Sequence, residues 1–88
     1  MRIRVLPQAY SDLVSIREGN VSGSVVERIQ TTINKLADFP RIGRPGRLSG
    51  TRELVVLRTA YLVVYCVIED VVAILRVLDA RRARSEEE

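Results

Sequence analysis

Residues 52–82, RELVVLRTAYLVVYCVIEDVVAILRVLDARR, decide the fold of this chain. Three apolar runs, at 54–57, 61–68 and 71–78, are rich in the β-branched and aromatic side chains that favour strands. Turn-sized breaks at Thr59-Ala60 and Glu69-Asp70 separate the runs. Because so short a break joins antiparallel neighbours, the stretch predicts a three-stranded antiparallel meander that ends in arginines.

The first half of the chain predicts an edge strand followed by two helices. Residues 1–6, MRIRVL, alternate basic and apolar side chains, which is typical of a strand with one solvent-exposed face. Pro7 suits the first turn of a helix that should end near Gly19. Ser24 and Glu27 have capping-box spacing for a second helix, which Pro40 stops. The predicted fold class is α+β, in the order β-α-α-β-β-β, with an antiparallel helical hairpin on one face of the sheet.

Length and composition limit the functional classes. The 88 residues predict a single domain, 1–88, with 85–88 as a frayed acidic tail. Glu69 and Asp70 divide the longest apolar run and the N-terminus lacks a signal-peptide core, so we expect a cytoplasmic protein with no membrane span. The chain has no histidine and one cysteine, Cys66. This composition excludes a zinc site and Ser-His or Cys-His catalysis, and no catalytic residue, cofactor or metal ligand is predicted.

Basic charge is concentrated in the second half of the chain. From residue 39 to residue 84 there are nine arginines and four acidic residues. Thirteen of the fourteen basic residues are arginine, whose planar cation suits carboxylate or phosphate partners. Residues 40–51, PRIGRPGRLSGT, predict an irregular basic loop. We therefore expect Arg44 and Arg47 in this loop, and Arg81 and Arg82 after the last strand, to contact an acidic partner.

A two-residue loop at Glu69-Asp70 predicts which residues share each face of the last hairpin. One side, called the plain face, carries the residues Leu62, Val64, Cys66, Ile68, Val71, Ala73, Leu75 and Val77. The tyrosine side carries Tyr61, Val63, Tyr65 and Val67 with Val72, Ile74, Arg76 and Leu78. Both sides are apolar, and one helical hairpin can cover only one of them. The uncovered side is expected to bind a partner.

The order of elements, together with the strings IGRPGR, GTREL, YLVVY and VLDARR, resembles the RelE/ParE toxin superfamily, and in particular its ParE-like branch. The resemblance covers nearly the whole chain and implies the toxin half of a type II toxin–antitoxin pair. It implies a cognate antitoxin, ParD-like or similar, in a hetero-oligomer with the toxin. RelE-like members cut messenger RNA on the ribosome, whereas ParE-like members poison DNA gyrase.

Several positions distinguish the two branches. Aligned on YLVVY, the cations of RelE-like members fall at Leu62, Glu53 and Val55, and their frequent histidine falls at Asp79. Of the positions aligned with functional residues of RelE-like members, only Arg81 and Arg82 keep the expected cation. Loss of phosphate-directed cations would remove transition-state stabilisation worth about 3 to 4 kcal/mol per donor. The resemblance therefore favours a gyrase inhibitor, with a ribosome-dependent mRNA interferase or a non-toxic relic that only binds its antitoxin as alternatives.

The two lines of reasoning place the helices differently. Composition alone favours helices on the plain face, because Arg76 and the tyrosines suit an exposed surface. The resemblance implies helices on the tyrosine side, which leaves the plain face for the antitoxin through Leu62, Val64, Val77 and Asp79. Direct binding of nucleic acid by the arginines is a secondary expectation. Arg52 and Glu53 are expected to form only exposed ion pairs.

Overall fold

The computed structural model describes residues 1–19 and 22–81. The elements are, in chain order, β1 (Arg2–Val5), α1 (Pro7–Gly19), α2 (Gly23–Lys35), β2 (Arg44–Pro45), β3 (Arg52–Val55), β4 (Tyr61–Ile68) and β5 (Val71–Asp79). The strands form a sheet in the order β1-β5-β4-β3-β2. The predicted α+β fold is confirmed. Arg82 and the tail 85–88 lie outside the described residues.

The sheet is mixed, which the sequence pattern alone did not indicate. β1 pairs in parallel with β5, whereas β5, β4, β3 and β2 pair antiparallel in turn. The predicted meander and edge strand are therefore both present. The prediction of an irregular loop over 40–51 is wrong at Arg44 and Pro45, which pair with Glu53 and Arg52 as the short strand β2.

The helices begin and end close to the predicted positions, with one correction at the second. α1 begins at Pro7 and ends at Gly19. α2 begins at Gly23 with Ser22 as its N-cap residue, so the predicted capping box of Ser24 with Glu27 is wrong. Ser24 lies inside the helix, where its Oγ is 2.7 Å from Oγ of Ser22. Among residues 1–19 and 22–81, no helix has the length and apolar content needed to cross a membrane.

The helices pack on the tyrosine side, as the resemblance implies. Helix residues Ala9, Ile29 and Ile33 join strand residues Tyr65 and Ile74 in the buried core. Full burial of one such large side chain contributes about 1.5 to 3 kcal/mol to folding. The expectation from composition, that the helices would cover the plain face, is wrong, because the fully buried strand residues Val63, Tyr65, Val72 and Ile74 belong to the tyrosine side.

A β-bulge changes the second half of the β4–β5 hairpin. Pairing runs as predicted from Ile68 opposite Val71 to Cys66 opposite Ala73, and then shifts between Val64 and Tyr65. Leu75 is the extra residue, because Tyr65 pairs with Ile74 and Val64 with Arg76. The prediction beyond this point is wrong, since an inserted residue reverses which face each later side chain occupies.

Two residues assigned to the plain face therefore lie elsewhere. Val77 pairs with Val63 and is buried in the core beneath the helices. Asp79 pairs with Tyr61 and lines a groove against α1. Leu62 faces Leu78 in place of Val77. The plain face thus keeps its four β4 residues and loses Val77, and Asp79 does not belong to it. The assignment of Arg76 and Leu78 to the tyrosine side is also wrong, because they pair with Val64 and Leu62 and so share the plain face with them.

Asp12 of α1 closes the edge of β5 where β1 ends. Its carboxylate accepts hydrogen bonds from Arg76 Nε at 2.8 Å, Arg76 Nη2 at 3.1 Å and the backbone N–H of Val77 at 2.9 Å. Only 16% of the Asp12 side chain is exposed. The bidentate pair explains how Arg76 leaves the apolar sheet, because its guanidinium reaches the edge and meets a carboxylate there.

Candidate functional site

The plain face is the side of the sheet opposite the helices, since both pack on the other side. Leu62 is 3% exposed, Val64 and Cys66 are half-buried, and Ile68 is exposed at the hairpin end. Arg2 and Arg4 of β1 pair with Val71 and Ala73 and border this face at one edge. An aliphatic centre bordered by arginines suits an amphipathic acidic partner.

The positions that RelE-like members fill with cations lie together on this face. Val55 pairs with Leu62, and Glu53 pairs with the adjacent Val64. The Glu53 carboxylate lies 3.4 Å from Arg44 Nη2 and 3.4 Å from the backbone N–H of Arg47. The assembled side chains are therefore two aliphatic groups and one carboxylate that is turned toward the basic loop. This arrangement provides no cation at those three positions to stabilise the charge that builds on a scissile phosphate.

The basic loop is held in place by buried and half-buried contacts. The backbone N–H of Gly43 donates to the hydroxyl of Tyr65 at 2.9 Å. Arg52 Nη1 donates to the carbonyl oxygen of Gly43 at 2.8 Å and to that of Arg41 at 3.3 Å. These hydrogen bonds hold the backbone on both sides of Ile42. The loop therefore has a defined conformation, from which Arg44 and Arg47 reach the surface.

Asp79 and Arg81 form a local pair at the end of β5. The carboxylate of Asp79 accepts from the backbone N–H of Arg81 at 2.9 Å, from its Nε at 3.2 Å and from its Nη2 at 3.0 Å. This hydrogen bond and the negative charge of Asp79 raise the pKa of the Arg81 guanidinium above its ordinary value. Arg81 is an exposed cation at the mouth of the groove against α1.

The predicted arginines form two separate clusters. Arg44 and Arg47 lie at the β2 edge, and Arg81 follows β5. In the sheet order, β2 and β5 are three strand spacings apart, or roughly 14 Å. Arg82 belongs to the predicted set and lies outside the described residues. One short acidic segment could therefore meet one cluster, whereas a wrapping partner could meet both.

Three residues that shape the site carried no clear local signal. Arg52 and Glu53 were expected to form only exposed ion pairs, yet both are half-buried and brace the basic loop. From the sequence, Asp12 looks like an ordinary solvent-exposed residue of α1, but its carboxylate accepts a hydrogen bond from the backbone of β5. The partners of Asp12 are 64 and 65 residues away in sequence, so spacing within the helix could not have revealed them.

Comparisons with known proteins agree on one family. Residues 3–84 match the family described as ParE toxin of type II toxin-antitoxin system, parDE. The protein named "Putative toxin Y4kP" from Sinorhizobium fredii (strain NBRC 101917 / NGR234) is 41% identical over 63 residues, which is 72% of this chain. The chain spans 65% of the length of that relative.

A solved structure supports the fold. A chain from the chromosomal ParDE TA system of P. aeruginosa superposes with a TM-score of 0.67 and 20% sequence identity. The superposition covers 88% of this chain and 92% of that chain. At this level of identity the likeness concerns the fold alone.

Proposed function

This chain belongs to the ParE toxin family of type II toxin–antitoxin systems, and we propose that it inhibits DNA gyrase in the cytoplasm until a cognate antitoxin neutralises it. The observation that carries the proposal is the chemistry of the plain face. Leu62 and Val55 are paired neighbours there, at positions where a ribonuclease of this superfamily would carry cations. An aliphatic surface is suited to gripping protein rather than to cleaving RNA.

The physical argument against RNA cleavage rests on charge. Cleavage through the RNA 2′-hydroxyl needs a proton acceptor, a proton donor and cations near the phosphate. Among the described residues, the bulge moves Asp79 to the α1 side, away from Leu62. Asp79 also engages Arg81, which is one of the two arginines that match the ribonuclease branch. The positions aligned with the catalytic residues of the ribonuclease branch therefore lie on two different surfaces, the plain face and the α1 side of the sheet.

The antitoxin is proposed to cover the plain face. Val64 is the proposed centre of that contact, with Cys66 and Ile68 extending it toward the hairpin turn, whereas Leu62 is only 3% exposed and lies beneath it. Val77 is removed from the proposed contact because it is buried beneath the helices. Covering apolar surface stabilises both partners by roughly 25 cal/mol per Å². The free protein should therefore be less stable and more prone to association than the complex.

The exposed arginines are proposed to bind acidic surface. Arg44, Arg47 and Arg81 are the described candidates, and contact with gyrase-bound DNA is a secondary role for them. Glu53 braces the backbone of Arg47 and the side chain of Arg44, so part of the loop's charge is oriented before binding. Such preorganisation raises affinity by lowering the ordering cost of the contact.

Induction in cells tests the proposal against its alternatives. The chain is expressed with and without the adjacent reading frame, where a small antitoxin is expected. Gyrase inhibition predicts filamentation and a DNA-damage response that the neighbour suppresses. Immediate arrest of translation with cleaved transcripts would favour the mRNA interferase. Normal growth at confirmed expression would favour the relic that only binds its antitoxin.

The antitoxin contact has its own matched test. Val64→Asp places a charge on the plain face and should weaken antitoxin binding at least tenfold. Tyr10→Asp places the same charge on an exposed apolar residue of α1 and should change the affinity less than threefold. Calorimetry with the purified antitoxin measures both values. Equal losses for the two variants would place the contact elsewhere.

A further inference from the structure

Residues 46–51 form the tip of the hairpin that joins β2 to β3. The backbone N–H of Gly46 donates to the carbonyl oxygen of Thr51 at 2.8 Å, which continues the pairing of the two strands. The carbonyl oxygen of Leu48 accepts the backbone N–H of Thr51 at 3.1 Å and the Thr51 hydroxyl at 2.6 Å. Gly50 has a positive φ of 84°, as the third residue of a type II turn requires. These contacts give the tip a defined conformation before any partner binds.

The tip carries one exposed aliphatic side chain among arginines. Leu48 is 73% accessible, more than any other large apolar residue in the described ranges 1–19 and 22–81. Residues 41–53 include four arginines, at 41, 44, 47 and 52, and a single acidic residue, Glu53. The side chain of Glu53 is only 13% exposed, and its carboxylate is turned toward Arg44. Because Arg44 and Arg47 are exposed, the surface that the hairpin presents is basic and has a leucine at its end.

We propose that this hairpin binds duplex DNA by entering the major groove. The major groove is about 12 Å wide and admits a two-stranded β-ribbon, whose strands lie about 4.8 Å apart. In that position the guanidinium groups of Arg44 and Arg47 would contact phosphates on the two sides of the tip. Leu48 would lie against the base edges, where thymine methyl groups offer an apolar contact. Binding would depend mainly on charge and only weakly on sequence.

The composition of the tip favours DNA over an acidic protein segment. Residues 46–51, GRLSGT, contain a single large apolar residue, and Leu48 does not line the groove between β3 and α2. A protein interface normally has an apolar centre made by several side chains, with charged groups at its rim. A DNA interface takes most of its affinity from cations on phosphates and needs few apolar contacts. One leucine among arginines therefore fits duplex DNA better.

The inference deepens the proposed function and rests on it for its biological role, because gyrase holds duplex DNA during supercoiling. A toxin that contacts gyrase and also holds DNA through the hairpin would bind the enzyme and its substrate together. The DNA contact itself is a property of this chain, so it can be measured without gyrase and without the antitoxin.

The test titrates the full chain into a fluorescein-labelled duplex of about 20 base pairs and follows anisotropy at several KCl concentrations. Two to three phosphate contacts predict that log K falls with log salt at a slope of about −2 to −3. Arg47→Ala should flatten the slope by about one and weaken binding alike on duplexes of different sequence. The variant keeps the backbone N–H that bonds Glu53. Arg17→Ala, which removes an exposed arginine of α1, should leave the slope unchanged.

A second pair of variants separates the apolar contact from the charge. Leu48→Ala should weaken duplex binding about threefold to tenfold with the salt slope unchanged, because it removes no cation. Leu57→Ala is the matched control, since Leu57 is 71% accessible and lies after β3, outside the tip. It should change the affinity less than about twofold. In the ¹⁵N-labelled protein, the duplex should shift the amides of residues 46–51 most.

Three results would overturn the inference. They are a salt slope that Arg47→Ala leaves unchanged, equal effects of the two leucine variants, and tighter binding of an acidic peptide than of the duplex at the same hairpin. The last result would assign the hairpin to a protein partner. Each of these outcomes leaves the gyrase assay untouched, and gyrase can prove insensitive while the duplex still binds.

Discussion

Replacing Tyr65 by phenylalanine tests whether the basic loop depends on one buried hydrogen bond. Tyr65 is fully buried, and its hydroxyl accepts the N–H of Gly43 at 2.9 Å. Tyr65→Phe keeps the ring and leaves that buried N–H without its acceptor, which costs about 1 to 3 kcal/mol. We expect a loss of about 2 kcal/mol, which lowers Tm by roughly 4 to 8 °C per kcal/mol in a domain of this size.

The assay is urea unfolding of both tyrosine variants, followed by hydrogen exchange of the Gly43 amide. Tyr61→Phe is the matched control, because Tyr61 lies on the same strand and its hydroxyl makes no hydrogen bond within the described part of the chain. Its free energy of unfolding should change by less than about 0.5 kcal/mol. The reasoning is refuted if both variants lose the same stability, or if Gly43 exchanges at the same rate in Tyr65→Phe and in the unmodified protein.

Three further outcomes follow from the same contacts. Asp12→Ala should lower the free energy of unfolding by about 2 to 3 kcal/mol, because the N–H of Val77 and the guanidinium of Arg76 both lose their acceptor. Asp12→Asn, which keeps one acceptor oxygen, should lose about half as much in the same urea titration; equal losses would contradict this role. Gly43→Ala should lower Tm, because the added Cβ would lie 2.6 Å from the Tyr65 hydroxyl oxygen; an unchanged melting curve would show that the loop moves freely.

Much of the fold follows from local sequence signals. Pro7 marks the beginning of α1, and the turn at Glu69-Asp70 sets the register of the hairpin at its near end. Glu69 has a positive φ of 55°, as the first residue of a tight two-residue hairpin turn requires. These features depend on a few adjacent residues, so they can be predicted without knowing the tertiary structure.

The bulge could not be predicted, and it changed the candidate site. Leu75 is aliphatic like its neighbours, so no polar residue in β5 before Arg76 marks the point where the alternation shifts. An apolar strand looks the same in either register, although a one-residue slip exchanges its faces. The reassignment of Val77 and Asp79 follows from that single inserted residue.

Long-range contacts account for the other differences. β2 has two residues and depends on pairing with β3. The ion pair of Asp12 with Arg76 joins residues at opposite ends of the chain. Neither feature has a periodic signature, because each depends on where the whole chain has folded. Arg52 gave a weak indication of its role in the sequence. A charged residue at the start of an apolar strand can donate hydrogen bonds to the carbonyl oxygens of a neighbouring loop.

The most direct test of the central claim is a supercoiling assay with purified gyrase. The protein is added in increasing amounts to gyrase, ATP and plasmid DNA, and a parallel reaction contains translating ribosomes and messenger RNA. We expect blocked supercoiling or trapped cleaved DNA, relief by the antitoxin and intact transcripts. Unaffected gyrase at stoichiometric excess, or transcripts cut on the ribosome, would contradict the account.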